Sequence, residues 1–225
     1  MPRTSIRTPG RPPAKLDRDA RDLLLAAATD LFAQHGVAAT TFAMIAKRAG
    51  LTPAMVHYYF TGREQLLDAV VEVRIAPLIA SVWNPLEAGA APAEMIRGVV
   101  ERMLAGIAAM PWIPSTWMRE VLNEGGLLRT RMLRHLPFDK VKILASAIAR
   151  GQASYAVNPD LDPGMIVFSV IGLVMMHMAT MRFWAEVFGR KVPSEDAMRQ
   201  HITGLLLHGL EPASPAQQAK RSGNK

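Results

Sequence analysis

Apolar residues recur at helical spacing along most of the chain, and no stretch alternates as a strand would. Leu24, Ala27, Ala28, Leu31 and Phe32 mark one face of a first helix, predicted from about Asp17 to His35 with Gly36 as its stop. Next comes "GVAATTFAMIAKRAGLTPAMVHYYF". Here Thr41 can cap a short helix whose inward residues are Phe42, Ile45, Ala46 and Ala49, and Gly50 can close it in the left-handed conformation. Leu51 fills the corner. Thr52 then caps a second short helix with Pro53 at its first position, so a tight turn separates two steeply packed helices. The pattern is that of a helix-turn-helix.

A fourth helix follows in "REQLLDAVVEVRIAPLIASVW", with a bend expected at Pro77. Further helices are predicted over Pro92 to Met110, Pro114 to Asn123, Leu127 to Ala153 with a break at Pro137, Asp162 to Phe188, and Ser194 to Leu210. The expected fold is therefore all-α: a three-helix helix-turn-helix domain over residues 17–62, then a larger helical domain over 63–210. Residues 1–16 read as a disordered basic arm and 211–225 as a disordered polar tail.

The helix opened by Thr52 contains three adjacent rings, His57, Tyr58 and Tyr59, and one helix has only one buried stripe. Val56 and Phe60 form that stripe with Leu51, which turns Ala54, Met55, His57 and Tyr58 outward. In a helix-turn-helix that face enters the major groove. There Ala54 and Met55 can touch thymine methyls, and His57 and Tyr58 can reach base edges or phosphates. Tyr59, Thr41, Thr61 and Arg63 are placed to meet phosphate oxygens, helped by free N–H groups at helix N-termini. The bland alternative is that His57 or Tyr59 packs on the first helix.

Charge strengthens the nucleic-acid reading. The chain carries a formal net charge of +7, and residues 1–63 hold nine Lys and Arg against four Asp, a net of +5 in about a quarter of the length. No cysteine is present, which removes disulfides, thiolate metal sites and cysteine nucleophiles and is compatible with a reducing cytoplasm. The amino end shows no apolar run behind its charges, so no secretory signal is expected. "MIVFSVIGLVMMHMATM", Met165 to Met181, approaches a bilayer span but falls short of it and contains His177, Ser169 and Thr180. A helix apolar on nearly every side can instead be buried between a core and a partner subunit.

Through "TTFAMIAKRAGLTPAMVHYYFTGREQLL" the sequence resembles the TetR family of bacterial transcriptional repressors, over residues 17–70. By position, Thr41 matches the start of the family's second helix, Thr52 to Tyr59 its recognition helix, and Arg63 the basic residue, usually Lys, that opens the fourth helix and holds phosphate. His57 stands where Tyr is usual, Pro53 where a polar residue is frequent, and Gly62 where Ser or Asn is common, departures that bear on the operator sequence. The resemblance implies a cytoplasmic homodimer on a palindromic double-stranded DNA operator, and a small hydrophobic or aromatic effector that binds the C-terminal domain and releases the DNA. It also implies a four-helix bundle from the last two long helices of each copy. Val170, Val174, Leu205 and Leu206 are candidates for that interface, and Met103, Trp117, Met118 and His177 for the effector site. No cofactor, metal or membrane is expected. An α-helical enzyme using the C-terminal cavity would need a nucleophile–base pair or a metal set, and neither HExxH nor a close ligand pair is found. A membrane-associated protein would rest on Met165 to Met181 and the basic arm.

Overall fold

A computed structural model describes residues 14–212, with side chains from Asp19 onward; the expected basic arm and polar tail lie almost wholly outside the described residues. The described residues are helical, with no strand among them. They divide into two compact units between Val70 and Val71.

The first unit holds α1 (Ala14–His35), α2 (Phe42–Ala49), α3 (Pro53–Tyr59) and α4 (Arg63–Val70). Its core is the predicted stripe: Leu24, Ala28 and Phe32 from α1 are buried, as are Ile45, Ala46, Val56, Phe60, Leu66 and Leu67. The expected border after Gly62 assigned α4 to the second unit. Instead α4 packs on α1 and buries Leu66, Leu67, Ala69 and Val70.

The second unit begins with a π-helical turn, Val71–Ile75, and continues through α5 (Ala76–Trp83), α6 (Pro92–Ala109), α7 (Ile113–Glu120), α8 (Arg129–Leu133), α9 (Phe138–Ala153), α10 (Pro163–Val187) and α11 (Glu195–Leu210). The irregularity expected at Pro77 falls just before it. Pro77 has no N–H to offer the carbonyl four residues back, and the wider π turn lies where that bond would be missing. The predicted 127–153 helix is split into α8 and α9 ahead of Phe138, where Pro137 lacks the donor a continuous helix needs.

At the centre of this unit α6 packs against α5, α9, α10 and α11. Val99, Val100 and Leu104 meet Leu144, Ile148, Val170, Val174 and Ile202 in one core. Polar ties fix the frame. Arg102 Nε–H donates to Val82 O at 2.7 Å, and burial lowers its pKa while the neighbouring Glu101 opposes that shift. Lys140 Nζ donates to Asn84 O and Leu86 O at 3.1 and 3.0 Å, joining α9 to the end of α5. Glu120 is buried and its Oε2 accepts from Leu127 N–H at 2.9 Å, and at Gly126 a Cβ would lie 2.0 Å from Glu120 O, so only glycine allows this approach.

Four candidate interface residues fall on two different faces. Val170 and Val174 have 0% exposure and Leu206 is buried, so these three complete the chain's own core and offer nothing to a second copy. Leu205 is 51% exposed. The outward face of α10 carries Met165 and Phe168 instead. The correction has a simple cause: a helix apolar on every side gives no periodic signal of which face is the core.

Candidate nucleic-acid interface

Two caps and one glycine set the helix-turn-helix. Thr41 has extended backbone and its Oγ1 accepts from Met44 N–H at 3.3 Å, opening α2. At the other end Gly50 has φ +68°, Gly50 N–H donates to Lys47 O, and Leu51 N–H donates to Ala46 O at 2.9 Å. This paired bonding satisfies the last carbonyls of α2 and reverses the chain in one residue. Two residues later Thr52 Oγ1 accepts from Met55 N–H at 3.4 Å with Pro53 in the first turn, so α3 starts where the sequence places it.

The three rings take three environments. Val56 and Phe60 are fully buried, with the Arg21 guanidinium 5.6 Å from the Phe60 ring centre. That anchoring leaves Thr52, Ala54, His57 and Tyr58 exposed, with Met55 and Tyr59 half-buried. His57 sets its ring edge-on to Phe42 of α2, centroids 5.1 Å apart. Tyr58 is 60% exposed and meets Tyr59 edge-on at 5.0 Å. The outward face is thus held by ring contacts at its base while the Tyr58 ring projects into solvent.

Thr61 and Arg63 are engaged within the unit. Thr61 donates from its N–H and its hydroxyl to Gln65 Oε1, at 2.7 and 3.2 Å, so Gln65 reaches back over the first turn of α4. Arg63 Nη1 donates to Thr40 O at 2.9 Å and Nη2 donates to Val37 O. Its guanidinium therefore ties α4 to the connection between α1 and α2, directly before the Thr41 cap. Neither Gln65 nor this clamp is singled out by the sequence pattern. The Gln65 contact has a local signal, a Thr followed four residues on by Gln at a helix start, whereas the Arg63 contacts span more than twenty residues and have none. Lys47 and Arg48 extend the exposed basic surface on α2, with Arg48 Nη2 paired to Asp30 Oδ2 at 2.9 Å.

The four candidate effector residues are not brought together. Met103 and Trp117 line an apolar cavity of about 60 Å³ with Ile75, Leu78, Met132 and Met175. Met118 is half-buried and off that cavity. His177 lines a different cavity beside His201, ring centroids 5.6 Å apart.

The Arg63 clamp generates a prediction separable from DNA binding. Arg63→Ala removes two charge-assisted bonds to backbone carbonyls and should lower unfolding free energy by about 1.5–3 kcal/mol in the absence of DNA. Urea denaturation of the two proteins decides it: an unchanged midpoint would mean that the clamp carries no stability.

Comparison with known proteins agrees with this geometry. Residues 24–70 match the family described as bacterial regulatory proteins, tetR family, and residues 92–205, half of the chain, match tetracyclin repressor-like, C-terminal domain. The chain is 28% identical over 160 residues to the HTH-type transcriptional regulator SrpR of Pseudomonas putida, covering 67% of this chain and 70% of that protein. It is 29% identical over 98 residues to the HTH-type transcriptional regulator BetI of Rhizobium meliloti, spanning 44% of this chain and about half, 48%, of BetI. Its fold is similar to that of the transcriptional regulator FadR from Bacillus subtilis in complex with stearoyl-CoA, with a TM-score of 0.62 at 18% identity over 84% of this chain and 99% of that one. With one match on each compact unit, the chain belongs to the tetR family of bacterial regulatory proteins, and its first unit carries the helix-turn-helix of a DNA-binding transcriptional regulator.

Proposed function

We propose that the chain is a repressor that lays α3 in the major groove of an operator and leaves it when an apolar effector binds the second unit. One observation carries the first half: a doubly anchored, capped α3 leaves Ala54, His57 and Tyr58 exposed and Met55 half-buried, in a unit whose α2 exposes Lys47 and Arg48. Apolar Ala54 and Met55 suit thymine methyls, and the rings of His57 and Tyr58 supply donors and acceptors for base edges. Thr41, Thr52 and Tyr59, with the N-termini of α2 and α4, are the groups this reading assigns to phosphate oxygens. Thr61 and Arg63 act in this reading by fixing α2 and α4, and any phosphate contact they make is secondary.

The effector half rests on the cavity at Met103 and Trp117. About 60 Å³ is far below the roughly 300 Å³ at which drug-sized pockets begin, so an effector must enlarge it. Met103, Met132 and Met175 on its walls have the flexible side chains to allow that. Ile75 and Leu78 belong to the same wall, and in this reading the ligand acts by binding the DNA-free form more tightly than the DNA-bound one. Stearoyl-CoA in the FadR neighbour supports a ligand of largely apolar body. We place the protein in the cytoplasm as a homodimer, without enzymatic activity.

The dimer reading uses the exposed face of α10 and α11. Phe168 is 68% exposed, with Met165 on the same helix and Leu205 on α11 similarly uncovered. A second copy of this chain covers them, and a two-fold dimer reads paired half-sites.

Two measurements test these readings. Selection of an operator from a random duplex pool, followed by titration, should show Tyr58→Ala and His57→Ala each weakening specific binding by about 1–3 kcal/mol while leaving non-specific binding nearly unchanged. Equal affinity of both variants and wild type for the selected site would remove α3's outward rings from the readout. For the dimer, Leu205→Arg should shift sedimentation at micromolar protein from dimer to monomer, an unpaired charge at a buried interface costing about 3–5 kcal/mol. A dimer unaffected by Leu205→Arg, or a monomeric wild type, would place the interface elsewhere or abolish it.

A further inference from the structure

The second unit contains a larger cavity, about 530 Å³, at the C-terminal end of α10, and neither the DNA reading nor the effector cavity at Trp117 uses it. This volume falls within the roughly 300–1,000 Å³ range of small-molecule sites. Its walls are apolar and soft: Met176, Met181, Trp184 and Phe188 from α10, and Met198 from α11. Trp184 and Phe188 stack with centroids 5.6 Å apart and planes 18° from parallel, and both rings are exposed to solvent at more than a third of their surface. Large uncovered rings around a concavity mark a binding surface more often than a plain exterior.

Polar groups converge on the same space, and all are cationic or neutral. Arg190 and Lys191 line it, exposed, and among the described residues neither forms an ion pair. Cations after a helix C-terminus ordinarily complement its free carbonyls. Here the backbone does that: Gly189, with φ +59°, donates its N–H to Glu186 O at 3.1 Å, and Arg190 N–H donates to Ala185 O at 2.8 Å. Both side chains are left for the cavity, on a main chain held by that turn. His177 Nδ1–H donates to Leu173 O at 2.7 Å, which makes Nδ1 the protonated nitrogen and leaves Nε2 without that partner. His201 stands opposite it, and Thr180 donates its hydroxyl to Met176 O. No carboxylate lines the cavity.

We infer that this cavity binds an amphipathic anion, an alkyl or aromatic body ending in one carboxylate, with the body on Trp184, Phe188 and the methionines and the charge at Arg190 and Lys191. Free carboxylate and carboxyl-mimicking phosphate or sulfonate head groups share the chemistry, and the carboxylate is the form committed to here. The inference is independent of the effector cavity and of DNA binding, since every lining residue named belongs to α10, α11 or their connection.

Isothermal titration of the full-length protein with dodecanoate, and with dodecanol as its uncharged counterpart, tests it. Dodecanoate should bind more tightly than dodecanol. Arg190→Ala with Lys191→Ala, two exposed positions whose loss leaves the fold intact by circular dichroism, should weaken dodecanoate by about tenfold or more and leave dodecanol unchanged. Trp184→Ala should weaken both ligands. Met103→Trp, which fills the separate 60 Å³ cavity, should leave dodecanoate affinity unchanged. Absence of dodecanoate binding, equal affinity for the two ligands, an unaffected double variant, or loss of binding in Met103→Trp would each overturn the inference, the last by moving the ligand to the effector cavity.

Discussion

A helix of seven residues does not hold itself together in water, because nucleation costs more than so few bonds return. α3 exists through its anchors: Val56 and Phe60 buried on one side, Thr52 at its start, and the Gly50 reversal that delivers the chain to that start. The same burial decides which residues face outward. With Val56 and Phe60 inward, a periodicity of about 3.6 leaves Ala54, His57 and Tyr58 no other direction. Recognition chemistry on this helix is thus a consequence of core packing beneath it. The Arg63 clamp extends the dependence to α2, since the carbonyls it holds belong to Val37 and Thr40, immediately before the Thr41 cap.

Local chemistry was legible in the sequence and long-range chemistry was not. Thr41, Thr52, Asp162 and Ser194 cap helices as their residue types and following positions indicate, and Gly50 adopts the left-handed conformation that its place between two amphipathic runs requires. The stripe of α1 and the outward set of α3 are likewise direct readings of period. Arg63 is different, because a basic residue at a helix start looks the same whether it reaches a phosphate or a carbonyl from another turn. On α10 the pattern carries no direction at all: Val170 and Val174 are core while Met165 and Phe168 are surface, and all four are apolar. Leu205 and Leu206 are neighbours in one apolar run, and only packing makes the first exposed and the second buried. Nothing in the sequence separates Met118 and His177 from Met103 and Trp117 as candidates for one effector site, and only packing does.

α10 links the remaining features. It is the one described helix long and apolar enough to cross a membrane, yet only 28% of its most apolar window is buried within the chain. Its inner face completes the core with α6, α9 and α11, and Ile171 and Met175 on it close the small cavity at Trp117. Its outer face leaves Met165 and Phe168 uncovered, apolar area whose burial is worth about 25 cal/mol per Å² and which the proposed second copy would cover together with Leu205 of α11. Its C-terminal end, turned by Gly189, forms the larger cavity with α11. One helix therefore borders the core, the proposed interface and both cavities.

On the function proposed above, α2 and α3 form the DNA surface, oriented by the core beneath them. Amide hydrogen exchange on the full-length protein, with and without a selected operator duplex, tests this most directly. Exchange should slow on operator binding over Thr41–Thr61, including the N-terminal amides of α3. Unchanged exchange across that segment, with protection confined to the second unit, would contradict it.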